Sequence, residues 1–418
     1  MNLYLKETPQ SPKSFITSNA FLDDSIAFQV ELMNLPRISF TLPIEEINVD
    51  IKDSSFEIIL EFDNGYIFQG KVIRKEYDLA KGTIRMDVEH IAHELEHRRV
   101  PTNYAVNELT LGEIYNYDTY IRPDNVKGIG SITKKEKLTE QEKKAKEEAK
   151  STDTSDEKTI IIDKTQLDGL FSDKDWNYVF TDSAKDVIVT YLFSNQDKLQ
   201  ALTDICKQTE DVFWRISLTE ERTIEIGRFG DYKELSITKN NIIDGTLNYV
   251  EDFQDICNYA IYFTDKSDSG TTALTLRDVY NHPELQNENF PVIQTGEEIN
   301  TERRYDYLDL IPFGANNKGD YAVLDKEGIA LEAGNIFEKA FTSNDIQTVA
   351  KDTNKELTDE DRLIASRQLY TQSIRKLVHS RRKVGITVSI DDLEPNTNVG
   401  DKVRFMLMSE IFKVVKCS

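Results

Sequence analysis

The chain has 418 residues, 39% of them hydrophobic and 30% charged, with 18 Gly and 10 Pro. Length alone points to more than one domain, and the composition excludes collagen, global disorder and a membrane bundle. The 51 Lys+Arg against 74 Asp+Glu leave a net charge of −23, the wrong sign for neutralising phosphates, so specific nucleic-acid binding is not expected. Residues 1–10 lack a basic region followed by an apolar stretch, and no apolar run approaches ~18 residues, so the expectation is folding in a cytoplasm without integral membrane contact. Cys206, Cys257 and Cys417 are odd in number and far apart, which argues for reduced structural thiols rather than a disulfide framework or a Cys-based zinc site.

In chain order, the first hundred residues read as strands. Ile38, Phe40 and Leu42 alternate with polar positions, and Phe56, Ile58, Leu60 and Phe62 do the same up to Asp63-Asn64-Gly65, a hairpin-turn signal. A return strand from Tyr66 to Ile73 follows, then a third alternation at Ile84, Met86 and Val88. The pattern breaks into a short polar helical piece from His90 to Arg99, anchored only by Ile91, Ala92 and Leu95 and stopped by Pro101. From Thr133 to Lys158, 8 Lys and 8 Asp+Glu fall among 26 residues. Such a segment has little to bury and reads as a solvated insertion, either a disordered loop or a single helix held by Glu/Lys pairs, with a partner-binding tail as the functional alternative.

Beyond it, Trp176 to Phe193 is strand-rich. Leu199, Leu202, Ile205 and Cys206 share one helical face, and strands at Val212 to Leu218 and Thr223 to Gly227 flank a polar turn. The last part has a strand at Tyr259 to Phe263 and a loop-rich polar stretch to about residue 350. A helix follows, with Thr358 as N-cap, Asp361 at the capping-box position and a stripe of Leu363, Tyr370, Ile374, Leu377 and Val378. The basic run Arg375 to Lys383 suits the helix C-terminus, with an acidic-partner patch as the alternative. Ile386, Val388 and Ile390 alternate next, and Asn398-Val-Gly-Asp-Lys402 turns into closing strands.

His93-Glu94-Leu95-Glu96-His97 matches H-E-x-x-H, in which two histidines one turn apart hold Zn²⁺ and the glutamate polarises bound water. His90 adds a third imidazole. The helix is short, Val100 and Asn103 stand where the longer motif needs Gly and His, and Glu113 is the only convenient third ligand, so the match reads as fortuitous on a surface helix. Gly128-Ile-Gly130 lacks the rest of a phosphate loop and Asp265 to Gly270 lacks the closing Glu of a calcium loop. No catalytic, cofactor or metal residue is assigned.

Four stretches together resemble the baseplate hub, or tail-associated, proteins at the tip of long-tailed bacteriophages. These are Ile67-Phe-Gln-Gly-Lys-Val72 running through Thr83-Ile-Arg-Met-Asp87 to Arg98-Arg-Val100, Glu108-Leu-Thr-Leu-Gly-Glu-Ile-Tyr115, Leu199 to Trp214, and Leu377 to Phe405. The resemblance implies a β-rich α+β fold in which two tail-tube-like antiparallel β modules flank a small α/β module. The expected division is 1–104, 105–237 carrying the insertion, and 238–418 with a loop-rich region and a helix at about 358–380. It further implies a non-enzymatic homotrimer in the virion tail tip, assembled in the host cytoplasm. That trimer closes the tail tube, adapts six-fold to three-fold symmetry and passes DNA. Its implied partners are the tail tube or distal tail protein, the tape measure protein and receptor-binding or baseplate proteins. His93, Glu94 and His97 then become surface or interface residues. A zinc peptidase built on those three is the rival reading, and an adaptor binding through its sheet edges is a third.

Overall fold

The structure, a computed structural model, describes residues 2–6, 11–17, 21, 26–46, 57–63, 65–100, 104–126, 130–143, 157–163, 171, 173, 175–193, 195–209, 211–230, 232–237, 242–243, 246–252, 255–263, 275–294, 321–342, 359–381, 383–389, 399–400, 402–405, 410–413 and 416–417. The fold is β-rich α+β, with several largely antiparallel sheets and few helices. Among the described residues, no helix is long and apolar enough to cross a membrane.

The first sheet contains β1 (Asn2–Lys6), β2 (Ser14–Thr17), β3 (Ala27–Glu31), β4 (Arg37–Pro43), β5 (Glu57–Glu61), β6 (Ile67–Asp78) and β7 (Thr83–His90), in the order β2-β1-β5-β6-β7-β4-β3. The alternation in β4 and β7 places Phe40, Leu42, Ile84 and Met86 in its core, as the period of two requires. At the hairpin turn, Gly65 takes φ of 85° and its N–H donates to the Phe62 carbonyl at 2.9 Å. Strand β5 departs from the expected alternation, because Glu57, Ile58, Ile59 and Leu60 are all buried. Both of its faces are covered, and Phe56 lies outside the described residues. Strand β6 is longer than expected and carries an irregularity between Val72 and Arg74.

A 3₁₀ helix, Ile91–His97, leads out of this sheet. Its Ile91, Ala92 and Leu95 pack into the second core, together with β8 (Tyr104–Thr110), α1 (Leu111–Tyr115), β9 (Ser131–Lys137), β10 (Glu157–Ile162), β11 (Asn177–Phe180), β12 (Ile188–Phe193), α2 (Lys198–Lys207), β13 (Phe213–Ile216) and β14 (Thr223–Gly227). Two sheets result, β10-β9-β8-β12 and β11-β14-β13, the pair β11/β14 being parallel. Here the structure corrects the reading of the charged insertion. Its first residues form β9 and its last ones enter β10, which pair from Glu157↔Lys137 to Ile162↔Ile132. Ile132 and Ile162 are both buried, so two apolar anchors and a ladder order a Lys-rich strand. Residues 144–156 of that insertion lie outside the described set.

The remaining strands are β15 (Tyr232–Ile237), β16 (Asn248–Asp252), β17 (Tyr259–Phe263), β18 (Val292–Gln294), β19 (Tyr321–Leu324), β20 (Glu338–Thr342), β21 (Lys383–Thr387), β22 (Lys402–Phe405), β23 (Glu410–Lys413) and β24 (Lys416–Cys417). They form the sheets β15-β22-β23, β16-β21 and β18-β19-β17-β20. Helices α3 (Arg277–Tyr280) and α4 (Lys326–Leu331) lie in the stretch expected to be loop-rich, where short buried runs such as Tyr321–Leu324 suffice to build strands. Helix α5 (Asp359–His379) buries Ala365, Leu369, Tyr370, Ile374 and Leu377 against Cys257, Ala260, Phe290 and Val323. Its expected cap, Thr358, and the Asp265 to Gly270 turn lie outside the described residues. Just beyond α5, Arg381 grips the buried Asp325 through two nitrogens at 2.6 and 2.8 Å and reaches Glu327 at 2.8 Å. Strand β21 ends at Thr387, yet the alternation persists, with Ile386 and Val388 half-buried and Thr387 and Ser389 exposed.

The chain closes on itself. Val399 is buried beside Val30 and Leu218, and Gly400 presses against Phe229 so closely that a Cβ there would sit 2.5 Å from the Cβ of Phe229. Strand β24 then pairs antiparallel with β3, Lys416↔Glu31 and Cys417↔Val30, adding an eighth strand to the first sheet.

Candidate functional site

The H-E-x-x-H pentapeptide sits on the 3₁₀ helix at the seam between the first sheet and the second core. His90 caps the helix, its Nδ1 accepting from the Ala92 N–H at 3.2 Å. The His90 ring is buried between Phe68 and Trp176, with centroids 5.5 and 6.3 Å away. Burial, reinforced by the nearby Arg222 charge, pushes its pKa down to about 3, so the ring stays neutral, and with Nδ1 taken by the Ala92 N–H it serves as a buried cap.

Glu94 turns inward. Its Oε1 accepts from Trp176 Nε1 at 2.7 Å and from Arg222 Nη1 at 2.5 Å, with Arg98 Nη2 3.6 Å away. The other fork of Arg222 meets Glu57 at 3.1 Å, and Glu57 accepts from Gln69 Nε2 at 2.6 Å. Arg98 in turn pairs with Asp173, which lies 3.6 Å from Lys198 Nζ. Burial pulls the Lys198 ammonium below its ordinary range, against the opposing pull of Asp173. The result is an alternating chain of charges that stitches the first sheet to the second core, with Arg222 held at φ of 51° in its middle. This explains the buried Glu57: the side that sequence alternation assigned to solvent is covered by a guanidinium from the tip of the β13–β14 hairpin.

The two remaining histidines stand apart from that chain. His93 Nε2 and His97 Nε2 approach to 3.2 Å, with the rings edge to face. His93 Nδ1 lies 2.7 Å from Glu96 and 3.4 Å from Glu89, a carboxylate also held by Arg37 at 2.7 Å. Glu113 is occupied elsewhere, closing a capping box with Thr110 at the start of α1 and pairing with Arg122 at 3.0 Å. Among the described residues, no group of three or more His, Cys, Asp or Glu is arranged to hold a metal ion. The peptidase constellation is therefore not assembled, since the general base is bound to Trp176 and Arg222 and the third ligand caps a helix. Cys206 and Cys257 are buried, with burial pushing their thiols up to about 12 and about 11.

A second polar seam joins the second core to α5. Glu108, at φ of 50°, accepts from Arg367 at 2.8 Å, and Gln372 donates to Gln208 at 3.3 Å. A cleft of about 100 Å³ lies beside the pair, lined by Thr190, Gln368 and Thr371. Neither seam was visible in the sequence; Arg222 and Glu57 are 165 positions apart and no local pattern links them.

No protein-family model matches the sequence, and no curated protein resembles it significantly. Solved structures do. The prophage tail protein gp18 from Listeria monocytogenes EGD-e aligns over 100% of this chain and 89% of its own length at a TM-score of 0.52 and 10% identity. The 43 kDa tail protein of prophage MuSo2 from Shewanella oneidensis covers 100% and 93% at 0.48 and 9% identity. A tail protein from Neisseria meningitidis MC58 covers 99% and 90% at 0.47 and 10% identity. The resemblance read from the sequence and the alignment over the whole chain converge: this protein has the fold of a phage tail protein.

Proposed function

We propose that this chain is a structural hub of a phage tail tip, a homotrimer that closes the tail tube and opens to pass DNA. The observation that carries the reading is the tail-protein fold, matched from end to end rather than over one module. In this reading two β modules per chain, the first built on β1 to β7 and the second, residues 238–418, on β16 to β23, alternate around a ring. Three chains thereby present six quasi-equivalent units to the tube above and three-fold symmetry to the components below. Neighbours in the ring use sheet edges, and the partners are tube, tape-measure and receptor-binding or baseplate proteins. The net charge of −23 suits a conduit that repels phosphate. No reaction is assigned to the chain, and Glu94 serves the seam instead of catalysis.

The test is mass and symmetry. Light scattering on the purified chain, with images of the particle, should give three copies around a central channel. A chain that stays monomeric both at high concentration and inside purified virions sinks the hub reading.

A further inference from the structure

The seam absorbs Glu94, but it leaves the two outer histidines of the motif unexplained. We propose that His93 and His97 form an open two-imidazole site for a divalent transition-metal ion such as Zn²⁺, Ni²⁺ or Cu²⁺, beside the carboxylates of Glu96 and Glu89. The proposal stands apart from the hub reading.

The first support is the bite. Two imidazole nitrogens each about 2.0 to 2.1 Å from one ion must lie roughly 3.3 Å apart at a tetrahedral angle and about 3.0 Å apart at a right angle. The Nε2 atoms of His93 and His97 are 3.2 Å apart already, so the spacing matches the bite and binding asks only that the two rings tilt from facing each other to facing a shared ion. The second is charge: the Glu96 and Glu89 carboxylates lie 2.7 and 3.4 Å from His93 Nδ1, not aligned to hydrogen-bond that buried nitrogen but close enough to favour a cation on the ring. One of the two Nε2 atoms carries the proton of their contact; when an ion enters, that proton is released to water and each ring gives one nitrogen lone pair to the metal. The third is access: His93 is 39% exposed and His97 more so, which leaves the remaining coordination positions to water.

Imidazole selects these ions over Mg²⁺ and Ca²⁺, which prefer oxygen ligands. The site therefore differs in kind from the many surface carboxylates of an acidic chain. It also differs from a peptidase centre, because the glutamate between the histidines faces the opposite way.

Calorimetric titration of the chelator-treated full chain with NiCl₂ and with ZnCl₂ should show saturable binding of one ion per chain. His93→Ala and His97→Ala should each weaken it at least tenfold, and His282→Ala, at an exposed histidine paired with Glu284, should leave it unchanged. His97 is exposed and His93 half-buried on a short helix, so native circular dichroism and melting behaviour of each variant are checked alongside the titration. MgCl₂ should give no saturable binding that depends on His93. Absence of a one-ion isotherm, or an isotherm unchanged in both His93→Ala and His97→Ala, overturns the proposal.

Discussion

The two seams of this molecule are built from the same chemistry and differ in how much water they admit. At the first, Arg222 bridges Glu57 and Glu94, and the Glu57 side chain is only 1% exposed. At the second, the Arg367 side chain is 39% exposed against 18% for Arg222, and Glu108, whose side chain is 8% exposed, borders an open cleft. An ion pair contributes according to what is left behind when it breaks. A carboxylate stranded in the interior loses its compensation, whereas one beside a cleft is rescued by solvent. The first seam should therefore behave as a fixed joint and the second as a yielding one.

That contrast is open to attack at several points. Arg222→Ala should cost about 3 to 5 kcal/mol in denaturant unfolding, because it strands Glu57 and removes a donor from Glu94; a loss below about 1 kcal/mol would mean that the seam relaxes and hydrates. Acid probes the same joint through His90, whose folded pKa of about 3 lies below the unfolded value near 6.5. The unfolded ring takes up a proton that the folded ring refuses, so this contribution is complete above about pH 6.5. It is lost as the pH falls toward 3, at up to ~1.4 kcal/mol per pH unit. His90→Asn should flatten that part of the stability profile measured by unfolding at a series of pH values. Arg367→Ala, at the second seam, should cost only about 1 kcal/mol and should increase protease access near α5 without unfolding the first sheet. Weakest is Glu338, away from both seams, whose carboxyl is pushed up to about 7 by burial. Its folded pKa exceeds the unfolded value, so native stability is lost as the pH rises through about 7. Glu338→Gln should raise the melting temperature at pH 8 and leave it unchanged at pH 4.

The sequence makes the strands of the first sheet legible wherever one face is solvated, as at β4 and β7, and it shows α2 and α5 through apolar spacing. It misleads where burial comes from a distant partner. Glu57 sits in an apparently alternating strand, and only Arg222, contributed by the hairpin after α2, makes its position interior. It misleads again at β9, where lysines mask a strand anchored by Ile132. For the histidine turn, the spacing correctly located two neighbouring rings, but the direction of Glu94 depends on Trp176 and Arg222, which no local pattern connects to it.

The pairing of β24 with β3 also has a temporal consequence. While the chain is being made, the first sheet can assemble from β1 to β7, but its β3 edge stays bare until Lys416 and Cys417 leave the ribosome. At roughly 5 to 20 residues per second, that interval lasts tens of seconds, long enough for a second nascent chain to meet the same edge. An unpaired strand edge is a template for wrong partners. During synthesis, then, β3 waits for β24, and translation speed becomes a determinant of how much of the protein folds alone.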